Sequence, residues 1–298
     1  MGRRWRELGI GLQGSRMSDF FNRKCRVTVG PETGGTGTSV DDSWRIAFKV
    51  NQNEDGKSNA VDVSIYNLTD STHAKLAKED QVLQLEAGYE NNMSVIAVAD
   101  ITRVIRDREL PNIITRIECH DGFKTLSDIK LSLSFDAGST VGQVVRSIAN
   151  NLAIDYEPNS QVDLTKVYLN GFSYTGRCGQ ALDKVANFLG VDWVIQNRVL
   201  YFVNKNQALQ GRAVLLSPAS GLIGSPKNII EENKKNGTKR KGYEVQSKLN
   251  PKIRPNQPLI LKSRDVDGTF KIGNVTIESD TRGAEWKTTA HLWEYNNG

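Results

Sequence analysis

The side chains best suited to acid/base work near neutral pH are His73, His120 and His291, and they lie far apart with no second His or Cys at metal-ligand spacing. Cys119 and His120 are adjacent, so on a strand they point to opposite faces and cannot act together. A hydrolase assembled from distant segments, with the histidines and Asp183 as its candidates, leaves no local signature to read. The acidic pairs Asp41-Asp42, Glu54-Asp55 and Glu231-Glu232 fall in polar turns, where hydrated carboxylates keep ordinary behaviour. Asp265-x-Asp267-Gly268 has Thr269 at the third ligand position of a calcium loop, and Asp-Gly is expected to make a hairpin turn. Gly34-Gly35-Thr36-Gly37-Thr38 lacks the Gly-Lys-Ser/Thr ending of a phosphate loop and reads as a flexible connection between strands. Gly9-x-Gly11-x-x-Gly14 is preceded only by MGRRWREL, which supplies no buried strand for a dinucleotide site. No catalytic, cofactor or metal site is therefore expected. Trp44, Trp193, Trp286 and Trp293 are expected on strands, as barrel core or interface ahead of a sugar platform.

The chain that must position these groups has 298 residues, 38% hydrophobic and 24% charged, enough for two or three domains with a sizeable core. Its mean hydropathy is −0.45 and its apolar runs are short, so no membrane segment is expected. Three scattered cysteines, Cys25, Cys119 and Cys178, argue against a disulfide framework. The net charge of +5 is uneven: residues 1–26 carry +5, residues 227–254 carry +6, and the rest carries −6. A nucleic-acid reader spreads its basic residues over one folded face; here they sit in a leader and one polar stretch. The leader has no apolar core of a secretory signal, and Met17 offers an alternative start.

From residue 24 to 120 the period is two. Val61, Val63 and Ile65 alternate with polar residues, as do Leu83, Leu85 and Ala87; residues 82–104 form a hairpin about Gly88–Asn92, and Pro111–His120 a further strand. Thr69–Glu79 is the one helix expected there. Residues 121–204 change period. Thr140 and Gln143 make a capping box before a stripe of Val141, Val144, Val145, Ile148 and Leu152; Cys178–Leu189 forms a second helix closed by Gly190. Strands around Trp193 and Val199–Val203 follow, joined by a Gln196-Asn197 turn. Beyond Asn204 the expectation is strands at 214–216, 243–248, 258–263, 269–278 and 285–294, with 217–241 a long loop and a bulge at Gly273, where the phase of Phe270 and Ile272 flips to that of Val275 and Ile277.

Several stretches together resemble one family. Val63-Ser-Ile-Tyr-Asn-Leu-Thr69 with Leu85-Glu-Ala-Gly-Tyr89 resembles the N-terminal barrel of the baseplate hub proteins of tailed bacteriophages. Gly171-Phe-Ser-Tyr-Thr-Gly176, Ala181-Leu-Asp183, Leu189-Gly190, Trp193 and Gln196-Asn197 resemble their small central domain. Ile253-Arg-Pro255, Gly268-Thr-Phe-Lys-Ile272 and Gly283-x-x-Trp286-x-Thr288 are similar to their second barrel. The resemblance runs in order over residues 18–295.

What it implies is a mostly β (α+β) chain with two tube-like β-barrel domains flanking a small α+β middle region. The expected boundaries are an extension at 1–17, barrels at 18–120 and 205–298, and the middle domain at 121–204. Family members form homotrimers whose six barrels surround a pore, join a hexameric tail tube or distal tail protein to a trimeric spike or tip, and pass DNA without reading its sequence. The implied place is the virion tail baseplate, assembled in the host cytoplasm, and the implied role is structural, without catalysis or cofactor. The chain stops after its last strand, so spike, lytic or fibre parts are expected on other chains. Trp44, Trp286, Trp293 and Tyr295 are expected in barrel packing or subunit contact, the acidic body is expected to keep a pore from adhering to DNA, and the basic stretches are expected outside or between rings. The alternative is a saccharide- or peptidoglycan-binding module of a phage tail or cell-surface protein.

Overall fold

The computed structural model describes residues 12–13, 20, 22–31, 37–55, 59–79, 81–121, 129–159, 161–204, 207–209, 212–232 and 239–294. After a short β1 (Leu12–Gln13), a first β arm comprises β2 (Arg23–Pro31), β3 (Thr38–Asp41), β4 (Ile46–Gln52), β5 (Ala60–Tyr66), β6 (Gln81–Tyr89), β7 (Asn92–Glu109) and β8 (Asn112–His120), with helix α1 (Asp70–Leu76) between β5 and β6. A middle unit follows: β9 (Lys130–Phe135), β10 (Ser139–Thr140), α2 (Val141–Asn151), β11 (Asp155–Tyr156), β12 (Val167–Tyr168), β13 (Phe172–Arg177), α3 (Cys178–Leu189), β14 (Asp192–Gln196) and β15 (Val199–Val203). The second β arm has β16 (Ala213–Leu216), β17 (Leu222–Glu232), β18 (Lys239–Lys248), β19 (Pro258–Lys262), β20 (Asp267–Asp280) and β21 (Trp286–Trp293). The chain is mostly β, with a small α+β middle.

Alternation builds the arms. In β4 the even-numbered Ile46, Phe48, Val50 and Gln52 are buried while Lys49 is exposed, and β5 and β6 follow the same period. The consecutive hairpins β6–β7 and β7–β8, and the β5–β8 ladder, complete the first arm. The arms then meet edge to edge: β4 pairs antiparallel with β20, from Ala47 opposite Asp280 to Gln52 opposite Val275. This ladder merges both arms into one 14-stranded sheet, in which no described pairing closes either arm upon itself. One apolar cluster runs through both, including Ile46 and Phe48 on one side and Ile272 and Ile277 on the other.

Trp286 ties the arms a second time. Its indole meets Phe48 edge-on at 6.1 Å and Tyr89 at 6.4 Å, and the Arg23 guanidinium lies 5.4 Å from its ring centre. Phe20 packs at 5.2 Å against Tyr89 and beneath Lys248. At the expected bulge the β20–β21 register shifts between Ile272 and Val275. A Cβ on Gly273 would overlap Trp293 Nε1, so the missing side chain is what lets that indole lie across the strand.

The middle unit has its own core. Thr140 caps α2 in a complete capping box with Gln143, and Val141, Val144, Val145 and Ile148 are buried along one stripe. Gly190 closes α3 with φ 74°, a conformation that favours glycine.

Three expectations are corrected. Residues 217–241 are no long loop: Pro218–Ser220 form a 3-10 turn and Leu222–Glu232 form β17, paired with β18 from Leu222–Ser247 to Glu232–Lys239. Both faces of β17 are largely wet, so no apolar period marks it in sequence. The β19–β20 turn is Ser263–Val266, held by Ser263 Oγ accepting from Val266 N, and Asp267-Gly268 already pair with Lys262 and Leu261. The β14–β15 turn is Asn197-Arg198, because Gln196 pairs with Val199. The leader's glycine pattern, apart from Leu12 and Gln13, and Gly34–Thr36 lie outside the described residues.

Trp286→Ala should cost about 3 to 5 kcal/mol in urea unfolding. A double-mutant cycle with Phe48→Ala should return a coupling of about 0.5 to 1.5 kcal/mol; strict additivity would show that the aromatic contact does not join the arms.

Candidate assembly surfaces

The sequence leads to side chains that the fold keeps apart. His73 sits in α1 with its Nδ1 3.2 Å from Thr115 Oγ1, His120 ends β8, and His291 on β21 lies 3.8 Å from Glu244. Among the described residues, no three His, Cys, Asp or Glu groups gather where they could hold a metal, and no helix is long and apolar enough to cross a membrane. The three thiols are buried, and burial pushes each up, Cys178 to about 12, which removes thiolate chemistry near neutral pH. Asp183 accepts from Trp193 Nε1 at 2.9 Å and so orients the middle unit's indole.

The tryptophans divide. Trp286 and Trp293 are buried, and the Arg240 guanidinium stacks 3.9 Å from the Trp293 ring centre while bridging Glu54 and Glu231. Trp193 is buried in the middle core. Trp44 is not on a strand; it occupies the β3–β4 turn, 36% exposed, where Asp41 O accepts its N–H. Tyr295 lies outside the described residues. A flat sugar platform needs exposed indole faces, which Trp193, Trp286 and Trp293 do not offer.

What converges instead is a set of contacts that fix the three units relative to one another. Around the β4–β20 ladder, Arg45 reaches Asp280 at 2.7 Å, Arg23 Nη1 donates to Gly283 O at 2.7 Å, and Arg282 donates to Ser43 O at 3.0 Å. Glu278 stands between Lys49 at 2.9 Å and Lys287 at 3.4 Å, and the bond from Lys49 is the main cause holding its carboxyl below the usual range.

The middle unit is clasped to the first arm by the β14–β15 turn. Asn197 and Arg198 have φ 52° and 62°, so the turn is left-handed at two residues that are not glycine. The buried Asp121 carboxylate at the end of β8 accepts both their N–H groups, at 2.7 and 3.4 Å. Asn197 Oδ1 accepts from Val98 N at 3.2 Å, and Arg198 pairs with the buried Asp100 at 2.9 Å. Sequence reasoning missed this clasp, since a single Asp after a strand and an Asn-Arg pair 76 positions away carry no joint pattern.

Outward, the molecule presents Leu110 at the β7–β8 tip, 92% exposed; Leu169 and Phe188 on the middle unit; and Ile223 and Ile230 on β17, which among the described residues pairs with β18 alone. Exposed apolar side chains on a free strand edge and a hairpin tip suit contact with other chains.

The fold is one that solved tail proteins share. The chain is similar to a tail protein of Neisseria meningitidis MC58 (11% identity, TM-score 0.63, 92% of this chain and 97% of that one). It is similar also to the 43 kDa tail protein of prophage MuSo2 from Shewanella oneidensis (12%, 0.60, 90% and 98%) and to E. coli c3393, a component of the type VI secretion system (9%, 0.54, 85% and 74%). No curated protein sequence matches. The model of the baseplate hub gp41 family matches residues 26–263, and the chain belongs to that family: it is a structural component of a phage tail baseplate.

Burial pushes the Asp121 carboxyl up to about 6, against the pull of the Asn197 and Arg198 N–H groups, and Asp100 adds a little to the rise. The folded chain therefore keeps this proton to about pH 6 while the unfolded chain loses it near 4. Between these values the native state binds more protons, so its stability falls as pH rises, by up to about 3 kcal/mol. Asp121→Asn should abolish this dependence: the wild-type minus variant unfolding free energy should decline from pH 4 to 6 and level off above, and a difference constant over that range would refute the assignment.

Proposed function

We propose that this chain is a trimeric hub of pseudo-sixfold symmetry. Three copies place six β arms around a channel, stack on a hexameric tail tube or distal tail protein, and present threefold symmetry to a trimeric spike or tip, with DNA passing through without sequence-specific binding. The domain division follows: a first tube-like domain over 18–120, a middle domain over 121–204 and a second tube-like domain over 205–298, with 1–17 an extension. Assembly takes place in the host cytoplasm and the product is part of the virion.

The observation that carries this reading is the β4–β20 ladder. Two antiparallel arms joined through their own backbone hydrogen bonds are a rigid pair at fixed spacing, as a protomer must be if it is to fill two of six equivalent places in a ring. Family membership supports the same role. Trp286 and Trp293 serve packing within the protomer; Trp44, half open in its turn, is the indole assigned to subunit contact, together with Tyr295 beyond β21.

Light scattering on the purified chain should give three times the monomer mass, and electron microscopy should show rings with three strong and three weaker lobes that cap tail-tube protein. Trp44→Ala should shift the trimer toward monomer while leaving the unfolding midpoint within about 0.5 kcal/mol of wild type. A chain that stays monomeric at high concentration and ignores tail-tube protein would overturn the proposal.

A further inference from the structure

Between the middle unit and the second arm lies a cleft of about 410 Å³. Its polar lining is unbalanced. Arg212 stands at the rim, exposed and without an ion pair among the described residues. Among the described residues Arg254 donates to two backbone carbonyls, Pro251 O at 3.2 Å and Val95 O at 3.0 Å, and makes no ion pair. Gln196 Nε2 is buried without an acceptor among the described residues. Asn197 spends its Oδ1 on Val98 N, leaving its amide nitrogen as a donor. The one acid of the lining, Glu157, is engaged by the Tyr201 hydroxyl. Two guanidinium charges thus share the lining with a single carboxylate, which leaves the cleft net positive.

The remaining wall is apolar: Pro158, Val199, Leu209 and Pro258, with the face of Tyr201. A cleft lined by more guanidinium than carboxylate groups gains from a ligand that brings a further carboxylate, through charge-assisted and bidentate hydrogen bonds. Apolar walls beside such donors select a carboxylate borne by a chain that also carries aliphatic side chains. A DNA duplex is too wide for a cleft of this volume, and a bare anion leaves the apolar wall wet.

We propose that this cleft docks an acidic peptide segment of a partner chain, an Asp or Glu side chain lying between Arg212 and Arg254 and a neighbouring aliphatic side chain on the Leu209–Pro258 wall. The site belongs to one protomer, so it stands or falls apart from the trimer.

Fluorescence anisotropy of the full chain with a labelled, blocked hexapeptide alternating Leu and Glu tests it; the Leu and Gln peptide, inorganic phosphate and a single-stranded oligonucleotide are the comparison arms. The Glu peptide should bind, its affinity should fall with added salt, and the Gln peptide should bind at least about ten-fold more weakly. Arg212→Gln should weaken the Glu peptide by about ten-fold with an unchanged unfolding midpoint, since that arginine is exposed and makes no hydrogen bond or ion pair among the described residues. Arg254→Gln should weaken it similarly, and the Arg212 variant keeps the test valid should Arg254→Gln unfold. Equal binding of the Glu and Gln peptides, indifference to Arg212→Gln, preference for the oligonucleotide, competition by phosphate at equal concentration, or no binding at all would each overturn the proposal.

Discussion

The rest of the structure depends on one ladder, the antiparallel pairing of β4 with β20. An unpaired strand edge exposes a row of N–H and C=O groups, and each arm would carry such an edge if it folded alone. Pairing the two edges satisfies those groups, buries Phe48 and Ile277 in one shared core, and fixes the register through a period of two: a slip of one residue would turn Ile46, Phe48 and Val50 out to solvent. The aromatic contact of Trp286 and the charged pairs of Glu278 stand on either side of the same ladder. Apolar burial supplies most of the stabilisation there, since exposed ion pairs contribute little individually.

Much of this was legible because burial leaves a period in the sequence. Strands β4 to β8 have one wet face, so Val61, Val63 and Ile65, or Leu83 and Leu85, alternate visibly. The helices α2 and α3 announce themselves by a capping box and a terminal glycine, local devices whose partners lie within four residues. Even the β20 bulge was written in a phase flip at Gly273. What was hidden is long-range or two-sided. Strand β17 is exposed on both faces, so its residues obey no apolar period and its Ser, Pro, Asn and Lys read as a loop. Trp44 looked like a strand residue because β4 begins two positions later. Asp121 gave no sign of its burial, because the groups that surround it come from Asn59, Asp100 and the β14–β15 turn, distant in sequence.

Charge follows the same division. The acidic body is not a uniform field: several of its carboxylates are matched across strands, Glu278 by Lys49 and Lys287, Asp280 by Arg45, Glu54 by Arg240. Within the basic stretch 227–254, β17 and β18 pair Lys227 with Glu244 and Lys239 with Glu232, acids already counted in its +6, while Arg240 also reaches Glu54 outside the stretch. Net charge counted along the chain therefore does not say which groups a partner would meet, and an inference from charge to partner has to begin with the groups left unmatched.

The middle unit shows why a structural part of an assembly retains buried polar groups. An apolar seam rewards area and tolerates small rotations, whereas a carboxylate that accepts two N–H groups from a left-handed turn does so at one angle only. Asp121 carries a desolvation cost that a leucine would not, and the turn at Asn197 and Arg198 carries backbone strain. Neither is the most stable choice. Together they set the middle unit against the first arm at one orientation, and that orientation also shapes the cleft whose opposite wall is Arg254 and Pro258. In a structural component of a phage tail baseplate, directional bonds of this kind fix how the units of the chain sit against one another.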